Sequence, residues 1–136
     1  MPHSLDQLIR NSLTEICQNC KDDFSGLGIV CYEDLSHLPY ISLHKDQSFT
    51  DFDLTNINET LLKIATYSSA YHDGFHFYDI HSKKITHISQ YISPLLDSLA
   101  HANVDKVIPS GAREMTAYLT SSIQGIFCVG LISANK

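Results

Sequence analysis

The run Ile126-Phe127-Cys128-Val129-Gly130-Leu131-Ile132 is the most apolar in the chain, and its short length and β-branched content predict a central strand rather than a helix. A second run, Gly26-Leu27-Gly28-Ile29-Val30-Cys31-Tyr32, is bounded by glycine and acidic residues and suits a buried strand. Strands buried on both faces need cover, and the chain supplies helical periodicity between them. Leu5, Leu8, Ile9, Leu13, Ile16, Cys17 and Cys20 keep the spacing of one helical face, with Ser4 as its N-cap. Asn56-x-x-Glu59 reads as a capping-box start for a helix carrying Ile57, Leu61, Ile64 and Ala65 and ending near Ala70.

The remaining segments read less sharply. A short strand is predicted over Tyr40 to Leu43, and Lys45 to Asp53 reads as a loop. After the turn dipeptide Asp73-Gly74, Phe75 and Phe77 alternate with His76 and Tyr78 as in a half-buried strand, whose partner lies near Ile85 to Tyr91. Pro94 to Val107 is read as a helix, and Ser110 as the N-cap of another over Ala112 to Ser122 with Met115, Tyr118, Leu119 and Ser122 on one face. Interleaved strands and helices place residues 1–136 in one α/β domain with a mixed central sheet flanked by helices.

With 43% hydrophobic residues the chain has enough apolar content for a single core. No stretch approaches the roughly eighteen apolar residues of a membrane span, and the start MPHSLDQLIR lacks the pattern of a signal peptide. The expectation is a soluble cytoplasmic protein with no membrane partner. Nine Lys and Arg against fifteen Asp and Glu give a net charge of −6, which argues against a nucleic-acid partner because duplex binding depends on many phosphate contacts. Small nucleotides stay open, since salt screens that modest charge over about 8 Å.

Cys31 and Cys128 sit in apolar runs where a thiol acts as a small hydrophobe. Cys17-Gln-Asn-Cys20 has the CxxC spacing but no second ligand pair, so two core-facing helical cysteines are the expectation. The sequon Asn58-Glu59-Thr60 carries no function in a cytoplasmic chain. Four of the eight histidines, His72, His76, His81 and His87, flank the predicted hairpin. Strand alternation would not put His72, His76 and Asp79 on one face, so they read as ordinary hydrogen-bonding imidazoles rather than a metal centre.

Two segments carry chemistry. A helix opening at Ser110 presents unpaired N–H groups and a partial positive charge, an anion site in outline. Arg113 in its first turn is disfavoured by the helix dipole unless a phosphate lies near or Glu114 or Asp105 pairs with it. His72-Asp73-Gly74-Phe75 connects a helix to a strand, where α/β proteins seat ligands. Gly74 permits positive φ or a close approach, and Asp73 offers a carboxylate to Mg²⁺ or Mn²⁺. The alternative is an ordinary Asp-Gly turn.

In this order and at this separation, His72-Asp73-Gly74-Phe75 and Gly111-Ala112-Arg113-Glu114-Met115-Thr116-Ala117 resemble the two motifs of the diadenylate cyclase domain, His-Asp-Gly-Ala and Gly-Thr-Arg-His-Arg-Ala-Ala. Ser121 falls where that family has a serine in the same helix. The resemblance implies a nucleotide partner, ATP or related, and a homo-oligomer in which two domains face each other. It implies Asp73 as metal ligand and, in an active enzyme, catalytic residue. Gly74 would be the close-approach residue, and Arg113 with the Gly111-Ala112 helix start would contact phosphate. Glu114 and Met115 stand where the family has histidine and arginine, Phe75 where it has alanine, and Ala134-Asn135-Lys136 where it continues with acidic residues. Losing one electrostatic contact of this kind costs about 10²-fold or more in rate.

The expectation is therefore a degenerate diadenylate cyclase-like domain that binds or senses a nucleotide without efficient catalysis, with Phe75 available to stack on a base. The alternatives are an active cyclase converting two ATP to cyclic di-AMP, and a protein-interaction subunit that has lost its pocket.

Overall fold

The computed structural model describes residues 2–20, 22–43, 55–67, 69, 71–93 and 112–133. The elements in chain order are α1 (Pro2–Asn19), β1 (Leu27–Tyr32), β2 (Tyr40–Ser42), α2 (Ile57–Ile64), β3 (Phe75–Asp79), β4 (Lys84–Ile92), α3 (Ala112–Ser121) and β5 (Ile126–Ile132). The strands form one five-stranded sheet in the order β2-β4-β3-β1-β5. β1 pairs parallel with β3, and all the other pairings are antiparallel. The mixed α/β architecture expected from the interleaved periodicities is present. No helix of the described residues is long and apolar enough to cross a membrane.

Alternation along β1 sorts the core onto two faces. Leu27, Ile29 and Cys31 join Ile16 of α1, Leu61 and Ile64 of α2, Tyr78 and Ile85 in one cluster. Val30 and Tyr32 join Phe75, Phe77, Ile92 and Ala117 of α3 in the other. Every residue of β1 is buried, as a strand covered on both faces must be. β5 is not central: among the described residues it is the edge strand beside β1. Its apolar run is matched by apolar cover on both sides, with Phe127 and Cys128 against the α1–α2 cluster and Val129 and Leu131 against the α3 cluster. Apolar content reported two-sided cover rather than position in the sheet.

Several expectations about helix ends shift. α1 begins at Pro2, ahead of Ser4, so Ser4 lies inside the helix; proline suits a first helical turn because its missing N–H would be unpaired there anyway. Asn56 is the N-cap of α2, accepting from the Glu59 N–H at 3.2 Å, while its side-chain amide donates to Glu59 at 3.0 Å. α2 stops at Ile64, short of Ala70, because Thr66 bridges Phe24 and the Tyr67 N–H is taken by the Asp23 carbonyl. In α3 the buried positions are Ala117, Leu119 and Thr120, while Met115 and Tyr118 are half-buried and Ser122 is exposed beyond the helix end. Small side chains at Ala117 and Thr120 replace the apolar face expected from Met115 and Tyr118. The expected loop over Lys45 to Asp53, the helix over Pro94 to Val107 and the cap at Ser110 lie outside the described residues.

β3 is not half-buried. His76 and Tyr78 are 1% and 7% exposed, as deeply placed as Phe75 and Phe77: Tyr78 packs in the α1–α2 cluster, and His76 accepts from the Ser89 N–H of β4. β4 alternates poorly in sequence for a structural reason. The register against β3 shifts between Phe75 and Phe77, and Ser89 takes φ 60°, marking a β-bulge that lets Ile88, Ser89 and Gln90 all be buried.

Candidate functional site

The bulge organises the loop at the start of β3. With Ser89 in the left-handed region, its N–H points at His76 and donates to Nδ1 at 3.0 Å. The Ser89 hydroxyl turns the other way and donates to the Asp73 carbonyl at 2.9 Å. Gly74, at φ 82°, packs so closely on β4 that a Cβ would stand 2.6 Å from the Gln90 carbonyl oxygen. The close approach anticipated for Gly74 is thus made to the neighbouring strand. Because its backbone is tied at both ends, the loop presents Asp73 outward, with a side chain 71% exposed.

The Asp73 carboxylate lies 3.4 Å from His72 Nδ1, and the His72 ring meets Tyr67 edge to face at 5.7 Å. Tyr67 is itself 63% exposed. His72, Asp73 and Tyr67 therefore form a solvent-facing group of one carboxylate, one imidazole and one aromatic ring.

Arg113 comes to the same end of β3 from α3. Ala117, one turn further along, packs in the cluster that contains Phe75 and Phe77, and residues four apart share a helix face. Arg113 is half-buried and near enough for its charge to act on His76. Burial first, and the Arg113 charge second, hold the His76 imidazole down at about 3. The ring is therefore neutral at physiological pH, and since Nδ1 accepts from Ser89, the proton sits on Nε2. A cation and an exposed carboxylate belonging to segments forty positions apart are thus brought to one end of one strand.

Other residues named from the sequence fall elsewhere. Phe75 is 6% exposed and its ring lies over Gly28, where a Cβ would stand 2.7 Å from it. Phe75 is a core side chain with no open face for a base, because only glycine beneath it makes room for the ring. Ser121 closes α3, about 12 Å along the axis from Arg113, and its hydroxyl donates to the Tyr118 carbonyl at 2.6 Å. It does not join the group at the other end. Ala112 begins α3, and Gly111 lies outside the described residues. His81 is exposed in the β3–β4 turn, while His87 sits among Tyr32, Tyr40 and Phe77, where desolvation lowers its pKa. Cys17 and Cys20 pack against the α1–α2 cluster, with the Cys20 thiol on the Cys17 carbonyl at 3.2 Å. Among the described residues no three His, Cys, Asp or Glu side chains are grouped to hold a metal ion by themselves.

Sequence reasoning missed Ser89 and Gln90, which hold the loop. Their only signal was the failed alternation of β4, which a bulge explains and a propensity does not.

Comparison with family models, with curated proteins and with solved structures finds no match to this chain.

Proposed function

We propose that this chain is a diadenylate cyclase-like domain that binds a nucleotide, ATP or a relative, without efficient turnover. The observation that carries the reading is the convergence of the Asp73-Gly74 loop and the first turn of α3 at one end of β3, with Arg113 close enough to bias His76. The motif order that resembles the family would have no spatial consequence if the two segments lay apart.

In this reading Arg113 and the N–H groups opening α3 take the phosphates, where the guanidinium forms charge-assisted hydrogen bonds and the helix dipole favours an anion. Asp73 fits Mg²⁺ or Mn²⁺ held jointly with phosphate oxygens, since such ions are commonly bound through one or two carboxylates plus the substrate. The ion would neutralise phosphate charge beside the carboxylate. His72 holds the Asp73 carboxylate on one side, and the exposed Tyr67 ring is the aromatic surface available to a base, a role that buried Phe75 does not fill. His76 and Ser89 act as positioning residues that fix the loop backbone. Glu114 and Met115, both half-buried on α3, supply no second cation, which favours binding over catalysis. Two such domains facing each other in a homo-oligomer would follow the same resemblance.

Thermal unfolding with and without ATP and Mg²⁺ tests the proposal. The wild-type midpoint is expected to rise by several degrees, and Arg113→Ala or Asp73→Asn to lose most of that rise while leaving the unliganded midpoint within about a degree or two. No rise in the wild type would overturn nucleotide binding and leave the protein-interaction reading. Incubation with ATP and Mn²⁺ followed by chromatography is expected to yield no cyclic di-AMP; its appearance would replace the sensor with an active cyclase.

A further inference from the structure

The opposite face of the sheet holds a feature that the nucleotide reading does not use. Between α1, α2 and the sheet lies a cavity of about 110 Å³, walled by Leu13 and Ile16 of α1, Ile57 and Leu61 of α2, and Ile29 and Tyr78 of the sheet, and open to solvent at a mouth where Leu8 is exposed. Ser12 and Lys83 also line it, and among the described residues Lys83 supplies its one charged side chain. Concave sites lined mainly by apolar side chains with one or two polar groups are where proteins commonly seat small ligands.

Lys83 is placed with unusual definition for a surface lysine. Its backbone lies in the left-handed region at φ 58°, and its N–H closes the β3–β4 turn on the Asp79 carbonyl at 2.8 Å. The turn is pinned again by the Asp79 side chain, which accepts from the His81 N–H at 2.9 Å. The turn backbone that carries Lys83 beside the cavity is therefore pinned at two points. Lys83 is exposed, so its ammonium can stay in water at the rim while its stem borders the cavity.

We propose that this cavity is a binding site for a small aliphatic carboxylate, its chain among Leu13, Ile16, Ile29 and Leu61 and its carboxylate on the Lys83 ammonium. An apolar wall with one cation at the rim selects an amphiphile of that sign: the chain gains by leaving water and the anion by a charge-assisted contact. The size sets the chain at about four to six carbons, since a comparable void of about 150 Å³ accepts benzene. The site is on the α1–α2 face and is independent of the nucleotide reading.

Hexanoate and hexanol are the probes, titrated into the full chain while the methyl NMR signals of Ile29 and Leu61 are followed. Both are expected to shift those signals, with hexanoate binding about tenfold more tightly. Lys83→Asn, chosen because asparagine tolerates the left-handed backbone, is expected to bring hexanoate down to the level of hexanol and leave hexanol unchanged. Ser12→Leu, which fills the cavity from α1, is expected to abolish both shifts. The proposal is overturned if neither probe moves the methyls, if Ser12→Leu leaves binding intact, or if Lys83→Asn preserves the preference for hexanoate.

Discussion

The two faces of the sheet are packed by different means. On the α3 face, Phe77 is met edge to face by Tyr40 at 5.0 Å and by Tyr32 at 6.4 Å, and His87 leans on it at 5.3 Å. Rings fill that layer, and even glycine at position 28 is used to seat Phe75. On the other face the side chains from α1 and α2 are aliphatic, and they leave about 110 Å³ unfilled. Flat rings can tile a sheet beside a helix whose buried side chains are Ala117, Leu119 and Thr120. Branched aliphatic chains from two helices meet at points and leave a gap between them. The tight face carries the fixed loop and Arg113, and the loose face carries a hole.

Truncation on each face separates these modes most strongly. Phe77→Ala is expected to cost about 3–5 kcal/mol in urea unfolding, because the rings around it cannot collapse into the space. Leu61→Ala should fall toward the lower end of about 2–5 kcal/mol, since its neighbours already border free volume and can relax. Equal losses would break the comparison.

Acid should reveal the buried His76 imidazole. His76 has a folded-state pKa of about 3, well below the roughly 6.5 of an unfolded histidine. Between those values the unfolded chain binds a proton that the native chain refuses, so stability falls as pH drops through this window and is unaffected above it. The slope is about 1.4 kcal/mol per pH unit, or about 2 kcal/mol lost by pH 5. The lowered pKa of His87 acts in the same direction. His76→Asn keeps an acceptor for the Ser89 N–H and should flatten the profile; a slope unchanged in that variant would show that His76 is not its source.

The smallest stability effect is expected to be a gain. Ser12→Leu should add about 1 kcal/mol by filling the cavity on the loose face, read as a higher urea midpoint at constant slope. A loss would mean that the void cannot accommodate three more carbons and that the two faces are packed alike.

Features set by neighbours in sequence were legible. Asn56 and Glu59 cap α2 through groups three residues apart, and the two-sided apolar character of β1 follows from its own composition. What misled were features set by distant partners. The edge position of β5, the end of α2 at Ile64 and the burial of His76 each depend on a segment far along the chain. Phe75 looked available to a ligand because nothing local reveals that Gly28 makes room for its ring. For the candidate site, Asp73, Gly74 and Arg113 were visible one by one, while Ser89 and Tyr67 were not.

By itself the sequence determined that strands and helices interleave into an α/β fold, and that one carboxylate and one arginine stand at the openings of a strand and a helix. Only the tertiary structure decided that the Arg113 charge acts on His76, three residues along from Asp73. The bulge at Ser89 and the packing of Ala117 into the cluster that holds Phe75 join strands and layers. The periodicity of one segment cannot encode them, because such contacts depend on register and on which small side chains allow close approach.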